Sequence, residues 1–241
     1  MNLILDIGNT LVKLAVFKKK RLLYKTSFPL GELMEVYRNA KKSYPELSAV
    51  IISSVGRMPK SNIAVIKEDL RVLELNHLTK VPFNNLYASP KTLGVDRIAL
   101  VSASVNQFPN KNVLIIDAGT CVTYDFINQN NDYLGGAISP GLRLRYKSLN
   151  TLTANLPLLE TQRPLNIIGD STASSIHSGV VYGLVKEIDG VIDHYKSQYQ
   201  DLTVILTGGD AEFLSNQLKN SIFASSNFLL EGLNFILDFN S

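Results

Sequence analysis

Two short segments of the chain share one pattern of apolar and polar residues. Residues 3–10, LILDIGNT, and residues 114–120, LIIDAGT, each consist of an apolar run that leads into an Asp-x-Gly sequence. Each is followed by mixed apolar and polar residues, VKLAVF at 12–17 and CVTYDFI at 121–127. Val, Ile, Phe and Tyr dominate and the spacing is not helical, so each copy predicts a strand, a turn and a second strand. The repeat indicates two related halves.

A second regular pattern predicts one long helix. Between residues 171 and 199, apolar residues recur at steps of three or four, and Thr172 stands near the start. This spacing is typical of a helix with one face in a core. The apolar stripe consists of Ile176, Val180, Leu184, Ile188, Ile192 and Tyr195. Ser175, Gly179 and Gly183 form a separate line of small residues, which indicates close packing against another backbone, within the chain or between chains.

The composition is that of an ordinary globular protein. Of 241 residues, 45% are hydrophobic and 19% are charged, which suffices for one large or two compact domains. No apolar run approaches the roughly 18 residues that cross a bilayer, and the first residues lack the pattern of a secretory leader. The sequence therefore predicts a cytoplasmic protein that does not bind membranes.

Charge and metal-ligand residues argue against two further classes. The formal charge is only +3, and its densest cluster, KKKR at 18–21, falls where a hairpin should reverse, without interleaved aromatic residues. This favours a solvated turn over a nucleic-acid surface. Cys121 is the only cysteine, and His77, His177 and His194 are scattered. An internal disulfide is excluded, and the spacing does not suit a zinc site.

The two Asp-x-Gly turns allow two interpretations. Asp, Gly and Asn tolerate tight backbone geometry, so either turn alone is explained as a structural turn. Walker loops and dinucleotide fingerprints continue from a strand into a helix, whereas these copies return as a strand. They suit a nucleoside triphosphate, which needs backbone N–H donors for phosphate and carboxylates for a hydrated divalent cation. The candidate residues are Asp6, Gly8, Thr10, Lys13, Asp117, Gly119 and Thr120.

Two further turns carry candidate chemistry. In VILTGGDAEFL, residues 204–214, the paired glycines either form a plain turn with Asp210 as helix N-cap or permit close approach of a flat ligand such as adenine. In YASPKTLGVDRIALVSASV, residues 87–105, Asp96 and Arg97 fall at the start of a predicted helix. Asp96 is either an N-cap or a base that receives a hydroxyl proton beside an anion-binding Arg97.

Six motifs, in their order and spacing, resemble type III pantothenate kinase. They are DIGNTLVK (6–13), YASPKTLGVDR (87–97), DAGT (117–120), GGAISPG (135–141), TASSIHSG (172–179) and TGGD (207–210). The resemblance runs from residue 4 to about residue 210. It implies an α/β fold with two ribonuclease-H-like domains, each a mixed sheet flanked by helices, in the acetate and sugar kinase, Hsp70 and actin-like ATPase superfamily. The expected domains are residues 1–106 and 107–241.

The resemblance also implies roles for individual residues. ATP contacts fall on Asp6, Ile7, Gly8, Asn9, Thr10, Leu11, Val12, Lys13 and Thr120. Pantothenate contacts fall on Tyr87, Gly94, Val95, Asp96, Arg97 and Thr172. Asp96 is the implied proton acceptor, Asp6 lies near the Mg²⁺ that accompanies ATP, and Asp117 binds a monovalent cation, K⁺ or NH₄⁺. Cys121 and the basic segment at 142–150 depart from the family pattern outside the catalytic positions.

The implied activity is transfer of the ATP γ-phosphoryl group to the hydroxyl of pantothenate. The product is 4'-phosphopantothenate, in the first step of coenzyme A biosynthesis, and the implied working form is a homodimer with the pantothenate pocket at the subunit junction. The residues alone indicate only an ATP-dependent phosphotransferase or ATPase. Another small-molecule kinase of the superfamily would have no reason to combine Tyr87 with the GVDR turn, and intact acids at 6, 96 and 117 argue against a non-enzymatic regulator.

Overall fold

The computed structural model describes residues 1–8, 10–54 and 59–241, and the chain divides into two compact units. The first unit consists of Met1–Pro109, Asn131–Tyr133 and Asn227–Ser241, and the second of Asn110–Asn130 and Leu134–Ser226. The expected boundary between residues 106 and 107 lies close to the end of the first long segment. The C-terminal segment, which the sequence-based division places in the second domain, groups with the first unit instead.

The helices and strands alternate along the chain. The first part contains β1 (Asn2–Ile7), β2 (Val12–Lys18), β3 (Arg21–Phe28), α1 (Leu33–Ser43), β4 (Ala49–Ser54), α2 (Lys60–Asp69), β5 (Arg71–Glu74), β6 (Asn84–Asn85) and α3 (Val95–Gln107). The second part contains β7 (Val113–Ala118), β8 (Cys121–Ile127), β9 (Asp132–Pro140), α4 (Leu142–Thr151), α5 (Thr172–His177), α6 (Gly183–Gln198), β10 (Thr203–Thr207), α7 (Ala211–Ser215), β11 (Phe223–Ala224) and α8 (Phe228–Phe239). A π-helical turn, Ser178–Tyr182, joins α5 to α6.

The sheet of the first unit has the strand order β3-β2-β1-β4-β5. β1 lies at its centre, antiparallel to β2 and parallel to β4. All of β1 after Asn2 is buried, as expected for an apolar strand that is covered on both faces. Leu3, Leu5 and Ile7 contribute to one core cluster, which also includes Leu33 and Tyr37 of α1.

The second unit repeats this arrangement with the strand order β11-β10-β7-β8-β9. β7 occupies the central position, antiparallel to β8 and parallel to β10. Leu114 and Ile116 of β7 lie in a core cluster with apolar residues of α4, α6 and β10. The short strand β6 pairs in parallel with Asp132 and Tyr133, the first residues of β9, and these residues group with the first unit.

The predicted strand, Asp-x-Gly turn and strand are present in both copies. In the first unit, the last strand pair is Ile7 with Val12, and four residues separate the two in the sequence. In the second unit it is Ala118 with Val122, and three residues separate them. The second turn is therefore one residue shorter. As a result, residues at the same sequence distance from Asp6 and from Asp117 do not occupy equivalent positions in the two units.

The basic cluster at 18–21 lies on a hairpin turn, as the pattern predicts. Lys18 ends β2 and Arg21 begins β3, and the exposed Lys19 and Lys20 connect them. Lys19 adopts a positive φ of 55°, which is uncommon for a residue other than Gly, Asn or Asp. The cluster is thus a solvated reversal of the chain.

The predicted long helix is confirmed over residues 172–198, with one irregularity. Ile176, Val180, Leu184 and Ile188 lie in the core of the second unit, as their spacing indicates. The π-helical turn at Ser178–Tyr182 interrupts the α-helical hydrogen bonding, a feature that periodicity cannot reveal because it inserts a single residue into a turn. No helix in residues 1–8, 10–54 and 59–241 is long and apolar enough to cross a membrane.

The C-terminal helix α8 packs closely on α3. Gly232 of α8 faces the backbone of α3, and a Cβ atom placed on Gly232 would lie only 2.0 Å from the carbonyl oxygen of Ala99. The absence of a side chain at Gly232 lets the two helices approach, which completes the helical layer of the first unit. The close contact explains why α8 belongs to this unit despite its position in the sequence.

We expect Gly232→Ala to lower the Tm by roughly 2–8 °C, because overpacking at this contact costs about 1–3 kcal/mol. Gly31→Ala is the matched control in the same unit, since a Cβ atom on Gly31 has no described atom within 4 Å. Its Tm should stay within about 2 °C of the unmodified protein. Equal thermal stability of the two variants would contradict the close packing of α3 and α8.

Candidate active site

Asp6 lies at the carboxyl end of the central strand β1, between two polar side chains. Its strand partners are Lys13 on β2 and Ser53 on β4, and side chains at paired positions share one face of the sheet. Asp6 is 7% exposed, and Lys13 Nζ lies 3.6 Å from its Oδ2 atom. Burial raises the pKa of Asp6, with Lys13 opposing the rise and the charge of Asp96 adding to it. The charge of an acid from a separate motif, Asp96, therefore reaches Asp6 within the first unit.

The strand residues on either side of the DIGNT turn keep their side chains in the core. The N–H of Gly8 donates to the carbonyl of Leu11 at 3.1 Å. Ile7 and Val12 are 2% and 1% exposed and lie in the core, so only their backbone groups can face a ligand. Thr10 and Leu11 are exposed. Asn9, a predicted ATP contact, lies outside the described residues.

Asp96 lies in the first turn of α3, with Gly94 in the N-cap position. Its Oδ1 atom accepts a hydrogen bond from the backbone N–H of Arg97 at 2.9 Å. A Cβ atom on Gly94 would come within 2.3 Å of that same oxygen, so glycine makes room for the carboxylate. Asp96 is therefore not the N-cap, and its carboxylate lies near the positive end of the helix.

An aromatic layer holds Arg97 and Tyr87 together in the first unit. Arg97 is 5% exposed, and its guanidinium carbon lies 5.5 Å from the centre of the Tyr87 ring. The Tyr87 ring lies 6.1 Å from that of Tyr133, which in turn meets Phe83 at 5.9 Å in an edge-to-face arrangement. A cation over an aromatic face is attracted by the ring quadrupole. Tyr87, Asp96 and Arg97, which the sequence groups in one motif, thus belong to one connected site.

Asp117 occupies in the second unit the place that Asp6 occupies in the first. Its strand partners are Thr123 on β8 and Thr207 on β10. The Thr123 Oγ1 atom is buried and has no hydrogen-bond partner in the described part of the chain. The paired position that holds a lysine ammonium group in the first unit therefore holds a hydroxyl oxygen in the second.

The TGGD turn packs directly on the DAGT turn. Gly208 adopts a φ of +98°, and a Cβ atom there would lie 2.4 Å from both Asp117 Oδ1 and the Ala118 carbonyl oxygen. The N–H of Asp210 donates to the Ala118 carbonyl at 2.9 Å. Only glycine combines this backbone conformation with this approach.

The last glycine of GGAISPG packs on the other side of the DAGT turn. Gly141 donates its N–H to the Thr120 carbonyl at 3.0 Å. A Cβ atom on Gly141 would lie 2.2 Å from the Gly119 carbonyl oxygen and 2.6 Å from that of Thr120. The Thr120 residue is exposed. Three motifs that are far apart in the sequence therefore form one polar edge of the second unit.

Two expected helix starts differ in their capping. Asp210 precedes α7 but its side chain makes no capping bond, and the Arg143 guanidinium lies 3.2 Å from its Oδ1 atom instead. Burial raises the pKa of Asp210 and Arg143 opposes this rise. Ser171 caps α5 through reciprocal bonds with Ser174, which leaves the exposed Thr172 at the first helical position.

The residues around Asp6 fit a magnesium ion that arrives with its nucleotide. Within residues 1–8, 10–54 and 59–241, no group of three or more His, Cys, Asp or Glu side chains could hold a metal ion alone. Mg²⁺ is commonly held by one or two carboxylates together with substrate phosphates and water. The single buried carboxylate of Asp6 matches this mode of binding.

Comparison with known proteins identifies the family. The model of the type III pantothenate kinase family matches residues 2–194. The chain is 53% identical to the type III pantothenate kinase of Christiangramia forsetii, over 100% of this chain and 99% of that protein. It is 52% identical to that of Flavobacterium johnsoniae, over 97% of this chain and 96% of that protein. The chain belongs to the type III pantothenate kinase family. The expected enzyme class, an ATP-dependent phosphotransferase that acts on pantothenate, is confirmed.

Solved structures show the fold. A Baf-family protein from Campylobacter jejuni, described as a transcriptional activator, is 22% identical with a TM-score of 0.67, over 99% of this chain and 98% of that one. A glucokinase from an Antarctic psychrotroph is 12% identical with a TM-score of 0.54, over 100% and 99%. These likenesses confirm the expected α/β fold with two mixed sheets flanked by helices, and at such identities they carry no functional argument.

The sequence analysis assigned no role to three polar neighbours of the pantothenate kinase motifs. They are Ser53, Thr123 and Arg143. The first two lie beside Asp6 or Asp117 only through strand pairing, and the unequal turn lengths hide the equivalence of Lys13 and Thr123. The sequence repeat could have indicated the residues beside Asp6 and Asp117, because a parallel strand lies beside each central strand in this fold.

Proposed function

We propose that the chain phosphorylates pantothenate with Asp96 as the proton acceptor for its primary hydroxyl. The observation that supports this is the electrostatic influence of Asp96 on Asp6, which connects the acceptor motif to the phosphate motif within one unit. In phosphoryl transfer through a loose transition state, the base mainly orients the alcohol. A carboxylate held in the first turn of α3 by the backbone N–H of Arg97 suits that task.

The phosphate groups of ATP would be held mainly by backbone donors. The DIGNT turn offers N–H groups between two strands, and Lys13 adds a positive charge close to Asp6. Thr120 is the contact from the second copy of the turn. Mg²⁺ bound with ATP, near Asp6, would neutralise charge on the transferring phosphoryl group.

The cytoplasmic location of the protein stays a prediction.

Pantothenate would be oriented by the cluster around α3. Arg97 provides a guanidinium group for the substrate carboxylate, since guanidinium and carboxylate match in planar geometry. Tyr87 fixes the guanidinium through its ring at 5.5 Å. Gly94 and Val95 supply backbone at the helix start, where N–H groups are unpaired within the helix.

We expect Asp96→Asn to lower kcat by about 100-fold with little change in the KM for ATP, because general-base contributions have that size. Steady-state assays with varied ATP and pantothenate measure both. Asp201→Asn is a suitable control, since Asn also tolerates the positive φ of 56° at that exposed position. Turnover of Asp96→Asn within a few-fold of the unmodified enzyme would reject the assignment.

We further propose that Asp117 binds a monovalent cation, K⁺ or NH₄⁺. The support is the paired position on the neighbouring strand, which holds Lys13 beside Asp6 but Thr123 beside Asp117. Carboxylate and hydroxyl oxygens are the ligand type that hard cations take. Asp117 and Thr123 offer oxygen atoms of this type at paired positions on neighbouring strands.

We expect activity in potassium or ammonium buffer to exceed that in sodium buffer. We expect Asp117→Asn to abolish this dependence on the monovalent cation and to remove most of the activity. Thermal unfolding gives a second readout, because a cation that binds the native state raises the Tm. Thr123→Lys, which reproduces the arrangement of the first unit, should lose the potassium-dependent rise in Tm. Equal activity in sodium and potassium would defeat the proposal.

We also propose a homodimer in which Thr172 of one protomer approaches Tyr87 and Asp96 of its partner. The small residues Gly179 and Gly183 are exposed, and Cβ atoms placed on them have no described atom within 4 Å. In the described residues, packing within the same chain therefore finds no support at Gly179 and Gly183. Ser175, the third member of the line, does meet its own chain, since a Cβ atom on Gly169 would lie 2.3 Å from the Ser175 backbone nitrogen. A two-fold pair would repeat the contact and form two sites.

We expect Gly179→Leu to yield a folded monomer with weakened pantothenate binding and retained ATP binding, because a bulky side chain separates closely packed helices. Sedimentation velocity and ligand titration measure these outcomes. Lys196→Leu places the same side chain at an exposed position near the C-terminal end of α6 and should leave the dimer intact. An active monomer of the unmodified protein, or a dimeric and active Gly179→Leu variant, would end the proposal.

A further inference from the structure

Glu187 is the centre of a hydrogen-bond network in the second unit that the proposed mechanism does not use. It lies on α6, and its side chain is 29% exposed. Its Oε1 atom accepts a hydrogen bond from the Tyr124 hydroxyl at 2.9 Å, and its Oε2 atom forms an ion pair with Arg145. Burial raises the pKa of Glu187, but bonds from Arg145, Ser139 and Tyr124 outweigh it and lower the pKa overall. The carboxylate is therefore ionised at neutral pH.

Arg145 connects this carboxylate to the end of β9. Its Nε atom donates to the Pro140 carbonyl at 2.9 Å, and its Nη2 atom donates to the Ser139 hydroxyl at 3.1 Å. The Arg145 side chain is 21% exposed. An arginine that makes bonds in several directions has little rotational freedom, because its guanidinium donors are fixed in one plane.

Both ends of the network adjoin the DAGT turn. Pro140 precedes Gly141, which donates to the Thr120 carbonyl at 3.0 Å and has no room for a side chain against the turn. Tyr124 lies on β8, the strand that leaves the turn. Glu187 thus fixes the segment packed on the turn, through Arg145, and the strand that continues from it, through Tyr124.

We propose that Arg145 and Glu187 are positioning residues that hold the DAGT turn in the geometry that binds ATP. The proposal rests on the proposed contact between Thr120 and ATP. It gives a role to Arg145 of the basic segment at 142–150. A displacement of the turn by a fraction of an ångström changes hydrogen bonds to a ligand far more than it changes the stability of the fold.

The test compares Glu187→Gln, Arg145→Met, the double variant and Arg145→Lys. We expect each of the first two to raise the KM and the Kd for ATP by roughly tenfold, with the KM for pantothenate within twofold. The double variant should be no worse than either single variant, since the residues act as one unit. Arg145→Lys keeps the charge but not the fork of donors and should show an intermediate Kd.

Lys219→Met is the control, because it removes an ion pair with Asp193 elsewhere on α6 at 2.6 Å and should leave both KM values unchanged. Calorimetric titration with a non-hydrolysable ATP analogue measures the Kd, and thermal unfolding reports on folding. A lower Tm with an unchanged Kd for ATP, or an equal rise in both KM values, would overturn the inference. Thr120→Ala separates the two proposals. An unchanged Kd for ATP in this variant rejects the contact between Thr120 and ATP. A raised Kd in Thr120→Ala, together with an unchanged Kd in Glu187→Gln, rejects only the role of the network.

Discussion

A carboxylate at the end of a buried central strand needs a positive charge beside it, and the rest of the site is arranged around that need. β1 and β7 are apolar along their length, so Asp6 and Asp117 are the points at which each sheet becomes polar. In the first unit the paired position on the neighbouring antiparallel strand holds Lys13, whose ammonium group lies 3.6 Å from the Asp6 carboxylate. In the second unit the paired position holds Thr123, which places a hydroxyl group beside Asp117.

Close backbone approach is the second constraint on the site. Gly141 and Gly208 lie against opposite sides of the DAGT turn, and neither position has room for a Cβ atom. The turn is therefore held by packing of main chain against main chain, with few adjustable side chains. Such a support is rigid, which suits a site that must orient phosphate groups before any chemistry takes place. The ion pair of Arg145 and Glu187 extends the same support into the helical layer.

Local patterns were sufficient to predict much of this structure, and non-local pairing accounts for what they missed. The strand-turn-strand repeats and the stripe from Ile176 to Ile192 are readable because hydrophobic periodicity is a local property. The resemblance to the family also supplied the residue roles that remain proposals. Ser53 and Thr123 could not be found, because strand register depends on turn length and on the order of strands in the sheet. The membership of α8 in the first unit was hidden for the same reason, since nothing in its own residues says which helix it packs against.

The position of α8 has a consequence for the way the protein is made. The helix α8, which completes the first unit, follows the whole of the second unit in the sequence and is therefore synthesised after it. Until α8 has been synthesised, part of the apolar surface of the first unit is uncovered. The second unit is continuous apart from three residues, so its whole chain is available earlier. The first unit therefore has all of its residues only after the second unit has been synthesised. Removal of α8 would therefore uncover apolar surface of the first unit, although α8 lies far from most of that unit's other residues in the sequence.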